Sequence, residues 1–227
     1  MTSSAPEPLP TADTATDAGS DAAASMDEGA RKRPKPGERR VQILQALASM
    51  LEQPDAERIT TAALAAKLDV SEAALYRHFA SKAQMFEGLI EFIEQSIFGL
   101  VNQLSDREPD AAARSRKLVA LLLQFGEKNP GMARVMVGDA LVFENERLQQ
   151  RMNLFFDKIE SALRHNLREA AVLTASATPS VDAQVGASVI TAFCVGRLQR
   201  FARSGFKRSP SESLEHSLAL LLPVGHL

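Results

Sequence analysis

The sequence predicts an all-α protein: a small helix-turn-helix head carried on a longer helical body. Three observations predict it. Apolar residues recur at spacings of three and four along most of the chain after Arg39. Residues 59–86, ITTAALAAKLDVSEAALYRHFASKAQMF, hold two short apolar-faced segments and three polar caps around tight turns. No strand alternation or internal repeat stands out.

The elements follow in order. Residues 1–36 are rich in Ala, Ser, Thr, Pro and Asp and almost lack large apolar side chains. Such a segment buries too little surface to offset the entropy of ordering, so a disordered tail is expected. It has no apolar core of a signal peptide, and its acids argue against a transit sequence. Residues 37–84 are expected to form the head and 85–227 the body. A first helix is expected over Arg39–Gln53, with Val41, Leu44, Leu47, Ala48 and Leu51 on its apolar face.

Thr60 is placed to cap the next helix, with Ile59 and Leu64 spaced as a hydrophobic staple. Leu64, Ala65 and Leu68 give that helix its apolar face. Asp69 occupies the turn, where Asp tolerates a left-handed backbone better than most residues. Ser71 caps the second short helix, packed through Val70, Ala74 and Leu75. Ser81 and Gln84 are spaced as a capping box for a long helix over Ser81–Leu104. Its buried stripe is expected to be Phe86, Leu89, Ile90, Ile93, Ile97, Leu100 and Leu104. Further helices are expected over Arg114–Lys128, Met132–Gly138, Glu144–Ala171, Val181–Phe206 and Ser211–Leu222, with a loop at 172–180.

Composition narrows the classes. The chain has 227 residues, a net charge of −2 and 45% hydrophobic residues, enough for one or two domains with a sizeable core. With no Trp and 5% aromatics, no carbohydrate or base-stacking surface is indicated. No 18-residue apolar run marks a membrane span. The single Cys194 lies in an apolar stretch, which fits a small core residue and a reducing cytosol. Residues 31–40, RKRPKPGERR, carry six cations against one acid, whereas residues 1–30 carry acids alone. The charge run is either a solvated tail or an arm that touches phosphate.

The outer side of the head presents Ser71, Glu72, Ala73, Arg77 and His78, flanked by Tyr76 and Lys82. Small, polar and cationic side chains let a helix enter a major groove about 12 Å wide. Tyr76, His78 and Lys82 suit phosphate contacts, which position a protein on the duplex. Thr60 and Thr61 lie at a helix start, where free N–H groups favour a phosphate. An ordinary helical hairpin with a solvated face is the plain alternative. It explains the caps, turn and cation placement less well when all three agree.

These residues carry a resemblance. LYRHFASK, Leu75 to Lys82, resembles the signature that closes the DNA-binding domain of TetR-family regulators. Arg58–Ala66, Val70–Phe79, LIEFIE at Leu89–Glu94, FGEKNPG at Phe125–Gly131 and AFCVGRLQRFARSGFKRSP at Ala192–Pro210 are similar to the nucleoid occlusion branch of that family. The resemblance implies a TetR-like fold, palindromic double-stranded DNA as partner, and a cytoplasmic, nucleoid-associated place. It also implies a homodimer through the final helices, Val181–Leu222. There Val185, Val189, Phe193, Gly196 and Arg200 share a face, and Gly186, Ala192 and Gly196 permit close approach.

It further implies a partner groove between the fourth and fifth helices that takes the C-terminal tail of the tubulin-like division protein FtsZ. The matching positions are Phe92, Leu121, Gln124, Lys128 and Asn129. Phe92 lies about 100° around the helix from Ile93, beside Gly88, Gln95, Ser96 and Gly99. Lys128 stands where better-known members have Arg, and Leu100 replaces another of their cations. Packing by a neighbouring helix is the plain alternative for Phe92. The implied function is a DNA-bound inhibitor of division that disrupts FtsZ polymers. The competing reading is a ligand-responsive repressor with an effector cavity. No P-loop, Gly-x-Gly-x-x-Gly, Cys-x-x-Cys or His-Glu-x-x-His occurs, and the four histidines are scattered. No catalytic residue, metal ligand or cofactor is therefore expected.

Overall fold

Polar caps set the starts of several helices in the chain. In the computed structural model, residues 37–53 and 59–222 are described. They form nine α-helices and one 3₁₀ turn, with no strand among the described residues. The head comprises α1 (Glu38–Leu51), α2 (Thr61–Lys67) and α3 (Glu72–Tyr76). The body comprises α4 (Lys82–Arg107), α5 (Ala111–Lys128), α6 (Pro130–Met136), the 3₁₀ turn Asp139–Leu141, α7 (Glu146–Leu173), α8 (Pro179–Arg203) and α9 (Leu214–Leu221). The expected tail at 1–36 lies outside the described residues.

The head holds together as its caps predict. Thr60 Oγ accepts the Ala63 N–H at 3.1 Å, and Ser71 Oγ accepts that of Ala74 at 3.3 Å. Asp69 adopts the left-handed backbone, φ 53°, that the turn requires. Ile43, Leu47, Ile59, Leu64, Leu75, Phe79 and Phe86 close its core. Arg40 lies 4.0 Å from the centre of the Phe79 ring and donates to the His78 carbonyl at 3.0 Å, tying α1 to the end of α3.

Helix α4 leaves the head and becomes a body helix. Its N-terminal stripe of Phe86, Leu89 and Ile90 is buried against the head, and Ile93 and Ile97 continue into the body. There α7 and α8 run as the longest packed pair, with Phe155, Ile159, Leu163, Ile190, Cys194 and Leu198 fully buried. The short α6 packs against α1, as does α4, so these two helices join head to body.

Several expectations need correction. Val41 is 52% exposed; Ile43 and Ala46 take the buried positions on α1. Leu100 is 44% exposed, and Val101 is the buried residue at that level of α4. One residue of phase separates a stripe from its flank on a 26-residue helix, and neighbours decide which is covered. Gln84 does not return its side chain to Ser81: Ser81 Oγ accepts the Gln84 N–H, and Gln84 Oε1 accepts the Ala80 N–H at 2.8 Å. Helix α5 begins three residues before its expected start, because Asp110 accepts from the N–H groups of Ala112 and Ala113. Helix α9 is shorter than expected, starting at Leu214. By length and composition α8 could cross a membrane, although no 18-residue apolar run appears in sequence. It is paired with α7 along its length and carries Asp182, Arg197, Arg200 and Arg203.

Candidate nucleic-acid interface and partner groove

The outer face of the head is built from polar side chains around the Arg77 cation. Thr60, Ser71, Glu72, Ala73, Tyr76, Arg77 and His78 are exposed, and Thr61 is half-buried. Their backing is firm: Leu64 and Leu75, on the inner faces of the same helices, are almost fully buried. Thr61 Oγ1 donates to Glu72 at 2.5 Å, which fixes α2 against α3. Arg77 has no ion pair among the described residues, so its charge is available to an anion.

Lys82 is placed differently from the expectation. Its ammonium pairs with Glu144, whose side chain is 10% exposed, and lies 5.7 Å from the centre of the Phe86 ring. A largely buried pair of this kind keeps the cation from solvent, and separating it leaves a buried charge uncompensated. Lys82 therefore ties the start of α4 to the loop before α7, and a phosphate would have to displace Glu144 to reach it. Two more ion pairs, Arg147–Glu87 and Arg151–Glu94, continue this seam between α7 and α4. The bonded Glu94 carboxylate raises the Arg151 guanidinium above its ordinary value.

A groove of about 440 Å³ runs between α4 and α5. Leu121, Gln124, Lys128 and Asn129, all expected there, line it with Leu100, Lys117, Ala120 and Phe125. Phe92 stands at its edge, 48% exposed, with its ring centre 6.5 Å from that of Phe125. The two rings give the site an apolar surface, Phe125 in the floor and Phe92 at the edge. Lys117 is engaged by Glu108 at 2.5 Å; that bond, with the Asp110 N–H, holds the Glu108 carboxyl below its ordinary value. Lys128 has no ion pair among the described residues. The site is thus an apolar trough with one uncommitted cation at its end. Of the small residues expected beside Phe92, Gly99 borders open space, but Gly88 is buried against Leu44.

Phe125, Ala120 and Lys117 were not anticipated as lining residues. Their signal was available in the i, i+3, i+4 spacing of Lys117, Ala120, Leu121, Gln124 and Lys128 on one helical face. Phe125 needed the tertiary fold, since only the approach of α4 turns it into a floor.

Residues 43–89 match the family model described as bacterial regulatory proteins, tetR family, and residues 109–223 match a SlmA-like model described as a tetracyclin repressor-like C-terminal domain. The nucleoid occlusion factor SlmA of Vibrio vulnificus strain YJ016 is 50% identical over 188 residues, covering 82% of this chain and 95% of the relative. That of Photobacterium profundum is 51% identical over 184 residues, covering 81% and 93%. The chain belongs to the SlmA family of nucleoid occlusion factors. Solved TetR-type regulators share the fold at low identity. A Bacillus subtilis FadR in complex with stearoyl-CoA has a TM-score of 0.64 at 15% identity, covering 82% of this chain and 99% of that one. MbdR from Azoarcus has 0.66 at 16%, covering 82% and 98%. SlmA-family membership covers both the head and the groove-bearing body.

The body also exposes an apolar stripe away from the groove. Val181, Val185 and Val189 on α8 lie one helical turn apart and are 60%, 58% and 49% exposed. Phe193, the next in the series, is half-buried, with the Arg197 guanidinium 5.0 Å from its ring centre. Gly196 meets nothing within 4 Å. A row of bare valines backed by a glycine is the surface that a second helix can approach closely.

Proposed function

We propose that this chain is a DNA-bound inhibitor of cell division that acts through three surfaces. The head reads chromosomal duplex sites with Ser71, Glu72, Ala73 and Arg77 in the major groove and Thr60, Thr61, Tyr76 and His78 on phosphates. The valine stripe of α8 pairs two copies, which presents two heads to a palindromic site. The α4–α5 groove takes the acidic, apolar C-terminal tail of FtsZ and so blocks ring assembly over the nucleoid. The observation that carries this reading is the groove itself, an exposed Phe92 and an uncommitted Lys128, in a chain half identical to SlmA proteins. Phe92 lies ten residues beyond Lys82 at the start of α4, about 15 Å of helical rise. Head and groove can be occupied together, as a DNA-tethered inhibitor requires.

One feature favours a small-molecule-gated repressor. A cavity of about 280 Å³ between α6, α7 and α8 is lined by Met136, Val137, Gln149, Met152 and Phe156. It falls at the lower edge of the roughly 300–1,000 Å³ usual for ligand pockets, so the groove reading is preferred. A paired titration tests the choice. Phe92→Ala and Lys128→Asp should each abolish binding of FtsZ tail peptide while leaving duplex affinity unchanged. Absence of peptide binding by the parent protein would transfer the assignment to the repressor.

A further inference from the structure

The segment between α8 and α9 projects two cations from a fixed loop. Phe206 holds a left-handed backbone, φ 65°, which an aromatic residue rarely adopts. Its ring packs 5.2 Å from that of Phe201. Ser204 Oγ accepts the backbone N–H groups of Lys207 and Arg208 at 3.1 and 3.0 Å. Just beyond, Ser209 donates to Glu127 at 2.5 Å, Ser211 donates to the other oxygen of the same carboxylate, and Pro210 is buried. The loop is therefore clamped on both sides of Lys207 and Arg208. Their side chains are exposed and have no ion pair among the described residues. No acid occurs between Asp182 and Glu212, and the Glu127 carboxylate at the clamp is bonded to Ser209 and Ser211, not to Lys207 or Arg208.

The position of the clamp decides what this loop faces. Glu127 follows Ala120 and Gln124 at spacings of seven and three on α5, so it continues the row that forms one side of the groove. The partner cation Lys128 is its neighbour in sequence. A loop bonded to Glu127 therefore meets α5 on the shoulder away from Phe92, near the helix end that carries Lys128. The DNA-reading face is elsewhere, on α2 and α3, whereas α8 packs on α5 at Gly126 through Leu198.

We propose that the α8–α9 loop is a second anchor for the acidic peptide seated in the groove, with Lys207 and Arg208 receiving carboxylates that flank the apolar segment on Phe92 and Leu121. This rests on the groove reading given above and adds the residues that hold the partner beyond the trough.

The test is fluorescence titration of the protein with FtsZ tail peptide at several salt concentrations. The double variant Lys207→Glu/Arg208→Glu should bind roughly tenfold more weakly, with a shallower dependence on salt, because rim charges act through screened attraction. Lys207→Arg/Arg208→Lys should restore parental affinity. Affinity and salt slope unchanged in the double variant, with Phe92→Ala still abolishing binding, would overturn the loop anchor and leave the groove standing. No binding by the parent would overturn both. Loss of duplex affinity with peptide affinity unchanged would make the loop a phosphate contact and overturn the proposal as well.

Discussion

Gly131 shows how one residue fixes the distance between head and body. A Cβ there would fall 2.3 Å from the carbonyl oxygen of Ala48 and 3.1 Å from the Leu51 side chain. The nearest atom is backbone in a packed helix, so it cannot move aside. Gly131→Ala should destabilise the protein by roughly 1–3 kcal/mol, read as a fall in Tm. A Cβ at Gly126 would fall 2.4 Å from Leu198 Cδ2, the tip of a side chain that can shift its rotamer. Gly126→Ala should cost less, since helix propensity returns up to about 1 kcal/mol. Equal losses for the two variants would refute the backbone argument. Cys194 makes a different point. Burial pushes its thiol up to about 12 from 9.0, because the folded chain disfavours the thiolate. Between those values the unfolded chain loses a proton that the folded chain keeps. The contribution to stability is complete below pH 9 and is lost as pH rises towards 12. Native protein should resist a thiol reagent at pH 8 and react once unfolded; rapid native labelling would contradict the burial.

At the scale of elements, α6 is the strut under the head. Arg134, on α6, bonds Asp139 at 2.7 Å and donates to the carbonyls of Gln53 at 3.3 Å and Leu51 at 3.5 Å, past the end of α1. Arg134→Ala leaves those acceptors without their side-chain donor and should cost about 1–3 kcal/mol. Arg134→Lys should recover only part of it, since an ammonium cannot reproduce the planar fork. The readout is denaturant unfolding of both variants, and full recovery by Lys would show that charge alone matters. Lys82→Ala probes the tie between the start of α4 and the loop before α7. Loss of the Glu144 pair should lower Tm by a few degrees as well as weakening duplex binding. A pure phosphate contact would leave Tm unchanged.

For the whole molecule the exposed valines of α8 carry the prediction. Val185→Glu/Val189→Glu places charges where two copies would bury apolar surface. Such charges have no partner at the interface, so association should fall by orders of magnitude. Sedimentation should give a monomer that retains helical content but binds a two-half-site duplex weakly. A dimer in the double variant would move the interface off this stripe. Deletion of residues 1–36 should leave Tm almost unchanged and lower DNA affinity modestly through loss of Arg31, Lys32, Arg33 and Lys35. A large fall in Tm would refute a dispensable tail.

The sequence by itself determined the order of the helices and three of their caps. Thr60, Ser71 and Ser81 announce helix starts through local hydrogen bonds, and Asp69 announces the turn by its tolerance of a left-handed backbone. These are short-range effects, legible without knowing what lies opposite. The same holds for the groove row on α5, whose members share a face by spacing alone. Tertiary structure decided the rest. Val41 and Leu100 fit the apolar period but lie outside the core, because coverage depends on the neighbour and not on the helix. Lys82 reads as a free cation until Glu144, 62 residues away, is folded against it. Phe125 becomes a groove floor and Glu127 a loop clamp only when α4 and the α8–α9 segment close on α5 from opposite sides. Contacts of that sequence separation leave no periodic trace in the chain, since each partner satisfies its own local rules whether or not the other is present.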